Sequence, residues 1–258
     1  MSLKRRWQRL KTSFERRFFL KPFYGNYTGD FFSVRTRSVE FMAEPRFAEA
    51  WSKAAAANQD IWRGGVPDIR WRAHIACWAA AHGLQLEGDF VECGVFGGLL
   101  SMTICGFLDF NRTGRSFYLY DTYKEIPLEG LADQELANAR KGNETVYFDC
   151  YALAKRNFAP FPKARLVRGR VPESFAEAPD KVAYLSLDMN NAPAEIAAIE
   201  FFWDRLSPSA IVVLDDYGWI GAEAQRGAMD QFASGKGLRI VSLPTGQGLL
   251  IKPPRRSG

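Results

Sequence analysis

The chain has 258 residues, room for one domain or two small ones, and its 47% apolar and 24% charged content is that of a soluble globular protein. Its apolar runs are too short to span a bilayer, no apolar stretch follows the basic start to make a signal peptide, and four cysteines without a C-x-x-C pair fit free thiols in a reducing cytoplasm. The net charge of +5 is unevenly spread: residues 1–21 hold eight basic residues against Glu15, a local +7 that leaves −2 on the rest, so no basic face for nucleic acid is expected on the body.

Within that basic segment Leu3, Trp7, Leu10, Phe14 and Phe18 recur at helical spacing. Two readings stand: an interfacial helix in peripheral contact with an anionic membrane, or an arm packed on its own domain or on a sister subunit, with the second favoured. A homo-oligomer is the expected assembly. Residues 22–45 read as irregular. A helix follows over 46–57, and together these segments form an expected N-terminal arm and helical cap over residues 1–67.

Residues 68–258 read as the main domain. Asp68 is a candidate cap for a helix over 69–82, with Ile69, Ala73, Ala76, Cys77 and Ala80 on one face and Gly83 as its stop. Strands and helices then alternate. Strands are expected at 89–93, 116–121, 164–168, 182–188 and 210–216. Helices are expected near 98–109, 133–140, 146–157, 195–206 and 222–234. Residues 238–243 and 248–252 read as a closing antiparallel hairpin. Near-continuous apolar strands separated by helices imply an α/β fold, a parallel sheet covered on both faces.

Such sheets bind ligands at the carboxyl ends of their strands. Glu92, Asp121, Asp188, Asp215 and Asp216 all fall there. Any one of them is an ordinary helix cap. Five acids on one edge call for a compensating charge, either a cationic cofactor or a divalent metal. The first strand ends in Glu92-Cys93-Gly94-Val95-Phe96-Gly97-Gly98, a tight turn that does not fit G-x-G-x-x-G because Phe96 stands at a glycine position. An acid opening that turn repels a pyrophosphate and suits a sulfonium nucleoside with an ammonium group. A nucleotide-dependent oxidoreductase is therefore the weaker alternative.

The stretches Gly88–Val95, Tyr120–Pro127, Val213–Tyr217 and Arg226–Phe232 together resemble class I S-adenosylmethionine-dependent methyltransferases. More narrowly, they are similar to the macrocin O-methyltransferase group, which modifies sugar and polyketide hydroxyls. The resemblance covers roughly residues 68–252. It implies a Rossmann-like, mostly parallel seven-stranded sheet ending in the antiparallel hairpin. It implies an O-methyltransferase that takes S-adenosylmethionine and a small-molecule hydroxyl acceptor. Glu92, Gly94, Val95, Gly97 and Gly98 would hold the methionine part of the cofactor, Asp121 with Thr122 its ribose, and Gly169, Arg170 and Val171 its adenine, with Asp188 at the reacting end. Asp188, Asp215 and Asp216 match the positions that bind Mg²⁺ in the group, and an all-oxygen set suits that hard cation. Asp215 and Asp216, being consecutive, can share an ion only where their strand has begun to turn.

One position departs from the group's pattern. Asn190 stands where an aspartate is thought to take the substrate proton, and an amide is no base at neutral pH. Another residue, the metal alone, or a different outcome, including a binding protein without turnover, remains open; acidification of the hydroxyl by the metal is favoured. His74 and His82 are expected to be structural, Tyr217 and Trp219 to pack or to stack on a sugar, and residues 124–146 to lie over the strand ends as a lid or a plain connection.

Overall fold

The computed structural model describes residues 27–62 and 64–254. The basic segment 1–21, and with it the membrane and oligomer expectations, lies outside them.

The chain enters through a small antiparallel hairpin, β1 (Tyr27–Gly29) and β2 (Phe32–Val34). Its strands are too short for alternation to show in sequence, which is why this stretch reads as irregular. The turn is made by Asp30 and Phe31, both in the left-handed region at φ 53 and 56. Helix α1 (Pro45–Ala57) starts on Glu44, whose carboxylate accepts from the amides of Arg46 and Phe47 at 3.2 and 2.8 Å, with Pro45 in the first turn. Helix α2 (Arg70–Gly83) is alanine-rich, and Ala73, Ala76, Cys77, Ala79 and Ala80 are buried. Asp68 does not cap it through a strong bond: its carboxylate is turned to the Arg70 guanidinium at 2.7 and 2.8 Å, leaving the Arg70 amide at 3.4 Å.

The alternating part then runs β3 (Asp89–Cys93), α3 (Leu99–Phe107), β4 (Phe117–Asp121), α4 (Asp133–Thr145), α5 (Tyr151–Phe158), β5 (Ala164–Arg168), β6 (Val182–Leu187), α6 (Ala192–Trp203), β7 (Leu206–Leu214), α7 (Glu223–Gly235), β8 (Val241–Ser242) and β9 (Gly248–Ile251). Three boundaries move from the sequence reading for identifiable reasons. Helix α5 begins at residue 151 because Tyr147 and Phe148 are taken up against the ring of Phe96, at 5.3 and 5.8 Å. Helix α6 begins at residue 192 because Asn191 caps it, accepting from the Ala194 amide at 2.9 Å, with Pro193 in the first turn. Strand β7 begins at 206, before Pro208 and the left-handed Ser209 (φ 68) that disguise it.

The seven strands lie in the order β5-β4-β3-β6-β7-β9-β8. The first five are parallel, and β9 pairs antiparallel to β7 and to β8. The chain steps outward from β3 to β5, then returns to lay β6 on the other side of β3. That reversal opens a crevice beyond the ends of β3 and β6. Side-chain alternation splits the core in two. Phe90 and Tyr184 face α1, α2 and α3, whereas Val91, Cys93 and Leu185 face α6 and α7. All four cysteines are buried and unbonded. No helix among the described residues is long and apolar enough to cross a membrane.

Candidate active site

The crevice holds a cavity of about 550 Å³. Glu92, Gly94, Val95, Gly97, Asp121, Thr122, Gly169, Arg170, Val171, Asp188, Asn190 and Asp216 all line it, so nearly every residue singled out from sequence converges there. Gly98 lies just behind its wall, with Phe158 against it, and Asp215 is fully buried beneath the floor.

Close packing with the protein explains the glycines of the β3 turn. A Cβ on Gly94, which has φ +89, would stand 1.8 Å from the carbonyl oxygen of Asp188. A Cβ on Gly98, at φ +84, would meet the Phe158 ring at 2.4 Å. Strand ends β3 and β6 therefore touch through bare backbone, which brings Glu92 and Asp188 to one wall.

Glu92 is 3% exposed, and its Oε2 is buried without a hydrogen-bond partner. Burial first, then the nearby Asp215 and Asp121, push its pKa well above the carboxylate range. A carboxylate in that position lacks a cation. Asp121 is better satisfied. Its Oδ2 accepts from the amides of Val95 and Phe96 at 2.6 and 2.7 Å, and its Oδ1 accepts from the Tyr123 amide at 2.6 Å. It thereby ties the end of β4 to the turn after β3. Gly169 joins the same edge, its amide donating to the Asp121 carbonyl at 3.0 Å.

At the other end Asp188, Asp215 and Asp216 each bring a carboxylate oxygen within 4.8 Å of the others. Strand β7 ends at Leu214, so Asp215 and Asp216 sit in the turn that follows, which lets consecutive side chains reach one point. Burial, then Asp215 and Asp216, raise the Asp188 pKa well above the ordinary value; burial and Asp215 raise that of Asp216 to about 7. Asp216 Oδ2 is buried and unpartnered. The donor set and the orphaned oxygen fit a hard divalent cation.

Part of the compensating charge, however, is an arginine that the sequence reading missed. Arg72 of α2 pairs with Asp215 Oδ2 through Nη1 and with Asp30 through Nε at 2.7 Å. Burial works against its charge, but Asp215, Asp30, Asp188 and Asp216 more than restore it and raise its pKa. Gln247 donates to the other Asp215 oxygen at 2.8 Å. The available signal was the excess of acids itself, together with a charged residue inside an alanine-rich helix.

Asn190 lies in the cavity wall at φ 52, its amide nitrogen 3.4 Å from the Tyr147 hydroxyl and 3.5 Å from Asp188 Oδ1. Beneath this loop Glu195 Oε1 accepts from the Met189 amide at 3.1 Å and from Gln225 at 2.9 Å. Trp219 lines the cavity, and Tyr217 is buried with its hydroxyl 2.7 Å from Asp230. Lys124 to Pro127 and Glu129 also border the cavity, and the loop then continues into α4. The histidines stand apart. His74 stacks on Phe41 at 4.0 Å, and His82 bonds the Ser209 carbonyl at 2.9 Å.

A family model described as macrocin-O-methyltransferase (TylF) matches residues 58–240. Among solved structures, the O-methyltransferase NovP aligns at 18% identity over 71% of this chain and 80% of its own, with a TM-score of 0.63. The calicheamicin methyltransferase CalS11 aligns at 17% identity over 84% and 94%, with a TM-score of 0.54. A protein from Corynebacterium glutamicum aligns at 14% identity over 85% and 97%, with a TM-score of 0.52. At these identities they share the fold. No curated protein matches in sequence.

Proposed function

The chain belongs to the macrocin-O-methyltransferase (TylF) family, S-adenosylmethionine-dependent enzymes, and from that premise we propose that it methylates a hydroxyl of a sugar-containing or polyketide-type small molecule with the help of Mg²⁺. The family match decides against the nucleotide-dependent oxidoreductase. The observation that carries the proposal is one cavity running from the Glu92 turn to Asp188 and Asp216.

In this reading the unpartnered Glu92 carboxylate takes the ammonium of the methionine part, and the turn from Gly94 to Gly98 lies along it. Asp121, with Thr122, holds the ribose with the accepting capacity its three amide bonds leave. Gly169, Arg170 and Val171 border the adenine. Asp188 and Asn190 border the same cavity, where an acceptor would lie beside the bound cofactor. Asp188, Asp215 and Asp216 hold Mg²⁺, which when bound lowers the pKa of a nearby hydroxyl. Asp188 borders the cavity beside Asn190, so an acceptor hydroxyl placed there would lie next to the ion and, once acidified, would lose its proton to water. Asn190 serves as a donor that orients the acceptor. Bound S-adenosylmethionine would supply an electrophilic methyl group to the acceptor oxygen, with the electron pair of its C–S bond left on sulfur. Positioning supplies much of the rate.

Calorimetric titration with S-adenosylhomocysteine tests the cofactor half. Binding is expected, weakened about tenfold or more in Glu92→Gln, because a buried charge-assisted contact is lost. Titration with Mg²⁺ tests the other half, and Asp188→Ala should remove its heat. Silence toward the nucleoside together with clear binding of NAD would overturn the reading.

A further inference from the structure

The β1–β2 hairpin lies outside residues 58–240, the stretch the family model describes, yet it reaches the acidic trio. Asp30, in its turn, grips Arg72 at two nitrogens: Nε lies 2.7 Å from Oδ2, and Nη2 donates to Oδ1 at 3.2 Å. Arg72 passes this grip on to Asp215 through its remaining nitrogen. The side chains of Arg72, Asp30 and Asp215 are 15%, 12% and 0% exposed, so water screens them weakly. Further contacts seat the hairpin. The Tyr27 hydroxyl donates to the Asp68 carbonyl at 2.5 Å, and Tyr27 and Phe32 meet Trp71 edge-on at 6.5 and 6.0 Å, while Phe31, fully exposed in the turn, stands 6.1 Å from Trp219. Trp219 itself lines the cavity, so the hairpin stands at its acceptor end.

The charges around this point do not balance. Asp30, Asp188, Asp215 and Asp216 gather about one guanidinium among the described residues. Three of the four carboxylates are carried by the main sheet and its turns. Asp30 alone rides on a two-stranded hairpin, so the surplus negative charge acts on the hairpin's seat. We propose that Asp30 and Arg72 are positioning residues for the acidic trio, and that a divalent cation on the trio draws the β1–β2 hairpin more firmly onto the acceptor end of the cavity. The inference rests on the cation reading above. A dication removes most of the surplus, so Asp30 keeps its place on Arg72 with less repulsion. Linkage then requires that the seated hairpin raise the trio's affinity for the cation.

The test compares hydrogen exchange of the amides of residues 27–34, with and without saturating Mg²⁺, alongside Mg²⁺ calorimetry, in the full chain. Exchange is expected to slow at least fivefold with Mg²⁺. In Asp30→Asn the slowing should vanish and Mg²⁺ affinity should fall about five- to tenfold, the size of an ordinary coupling. Asp30→Glu, which restores the charge, should recover most of both. If Asp30→Asn loses its cooperative melt, Tyr27→Phe replaces it: hairpin exchange should be faster than in the parent yet still slow with Mg²⁺. Mg²⁺ heat with unchanged hairpin exchange, or equal Mg²⁺ affinity in parent and Asp30→Asn, overturns the coupling and leaves the cation reading standing. No Mg²⁺ heat overturns both.

Discussion

Glu195 sits under the loop that carries Asp188 and Asn190, fully enclosed between the Met189 amide and Gln225. Burial first, and Asp216 second, raise its pKa to about 8 from 4.5, while the Gln225 bond works the other way. The folded protein therefore keeps a proton on Glu195 that the unfolded chain releases. The stability this lends is fully present below about pH 4.5 and is lost as pH rises through about 8. Between those limits the contribution falls by up to about 1.4 kcal/mol per pH unit. Denaturant unfolding at pH 5.5 and 7.5 should show this loss in the parent, and Glu195→Gln should flatten that part of the slope while keeping the contact with the Met189 amide. An unchanged slope in the variant would mean that Glu195 is ionised throughout. At this scale the acids of the site were readable because strand ends announce themselves, each apolar run stopping at Glu92, Asp121, Asp188 or Asp215. Arg72, Asp30 and Gln247 were not. They reach Asp215 from 143, 185 and 32 residues away along the chain or through one another, and no local pattern encodes such partners.

The turn between β3 and α3 shows what an element needs beyond its own residues. Gly94 combines a left-handed φ of +89 with a backbone contact that leaves no room for a methyl group, since the atom in the way is the Asp188 carbonyl oxygen. Gly94→Ala should therefore part the ends of β3 and β6 and cost about 3 kcal/mol or more, combining backbone strain with overpacking. A melting temperature within a degree or two of the parent would show that the two strands can separate freely there. Gly227, with no atom within 4 Å of a built Cβ, is the matching control in an exposed setting. Most elements were legible from their periodicity, and the core strands β3 to β6 agree with the sequence reading to within a residue. The misreadings cluster where tertiary contacts overrule the local pattern: the paired hairpin β1–β2, the start of α5 surrendered to the cavity wall, and the Pro208–Ser209 kink inside β7.

Seen whole, the sheet carries two separate apolar layers, and the order β5-β4-β3-β6-β7 places the site where the chain reverses direction between them. That architecture was open to sequence reading because alternation of strand and helix leaves few topologies for a parallel sheet. The hairpin's reach to the far end of the site was not, since it depends on where the chain lies before the alternation begins. The two layers also divide the thiols: Cys77, Cys105 and Cys150 lie in one and Cys93 in the other, all unbonded, and burial raises the pKa of each. Labelling with a maleimide at pH 8 should be slower by orders of magnitude in the native protein than in denaturant. Rapid modification of one residue in the native state would show that its layer opens locally. Each face of the molecule thus carries its own silent reporter, so sulfhydryl titration during unfolding can tell which side lets go first without any label being engineered into the chain.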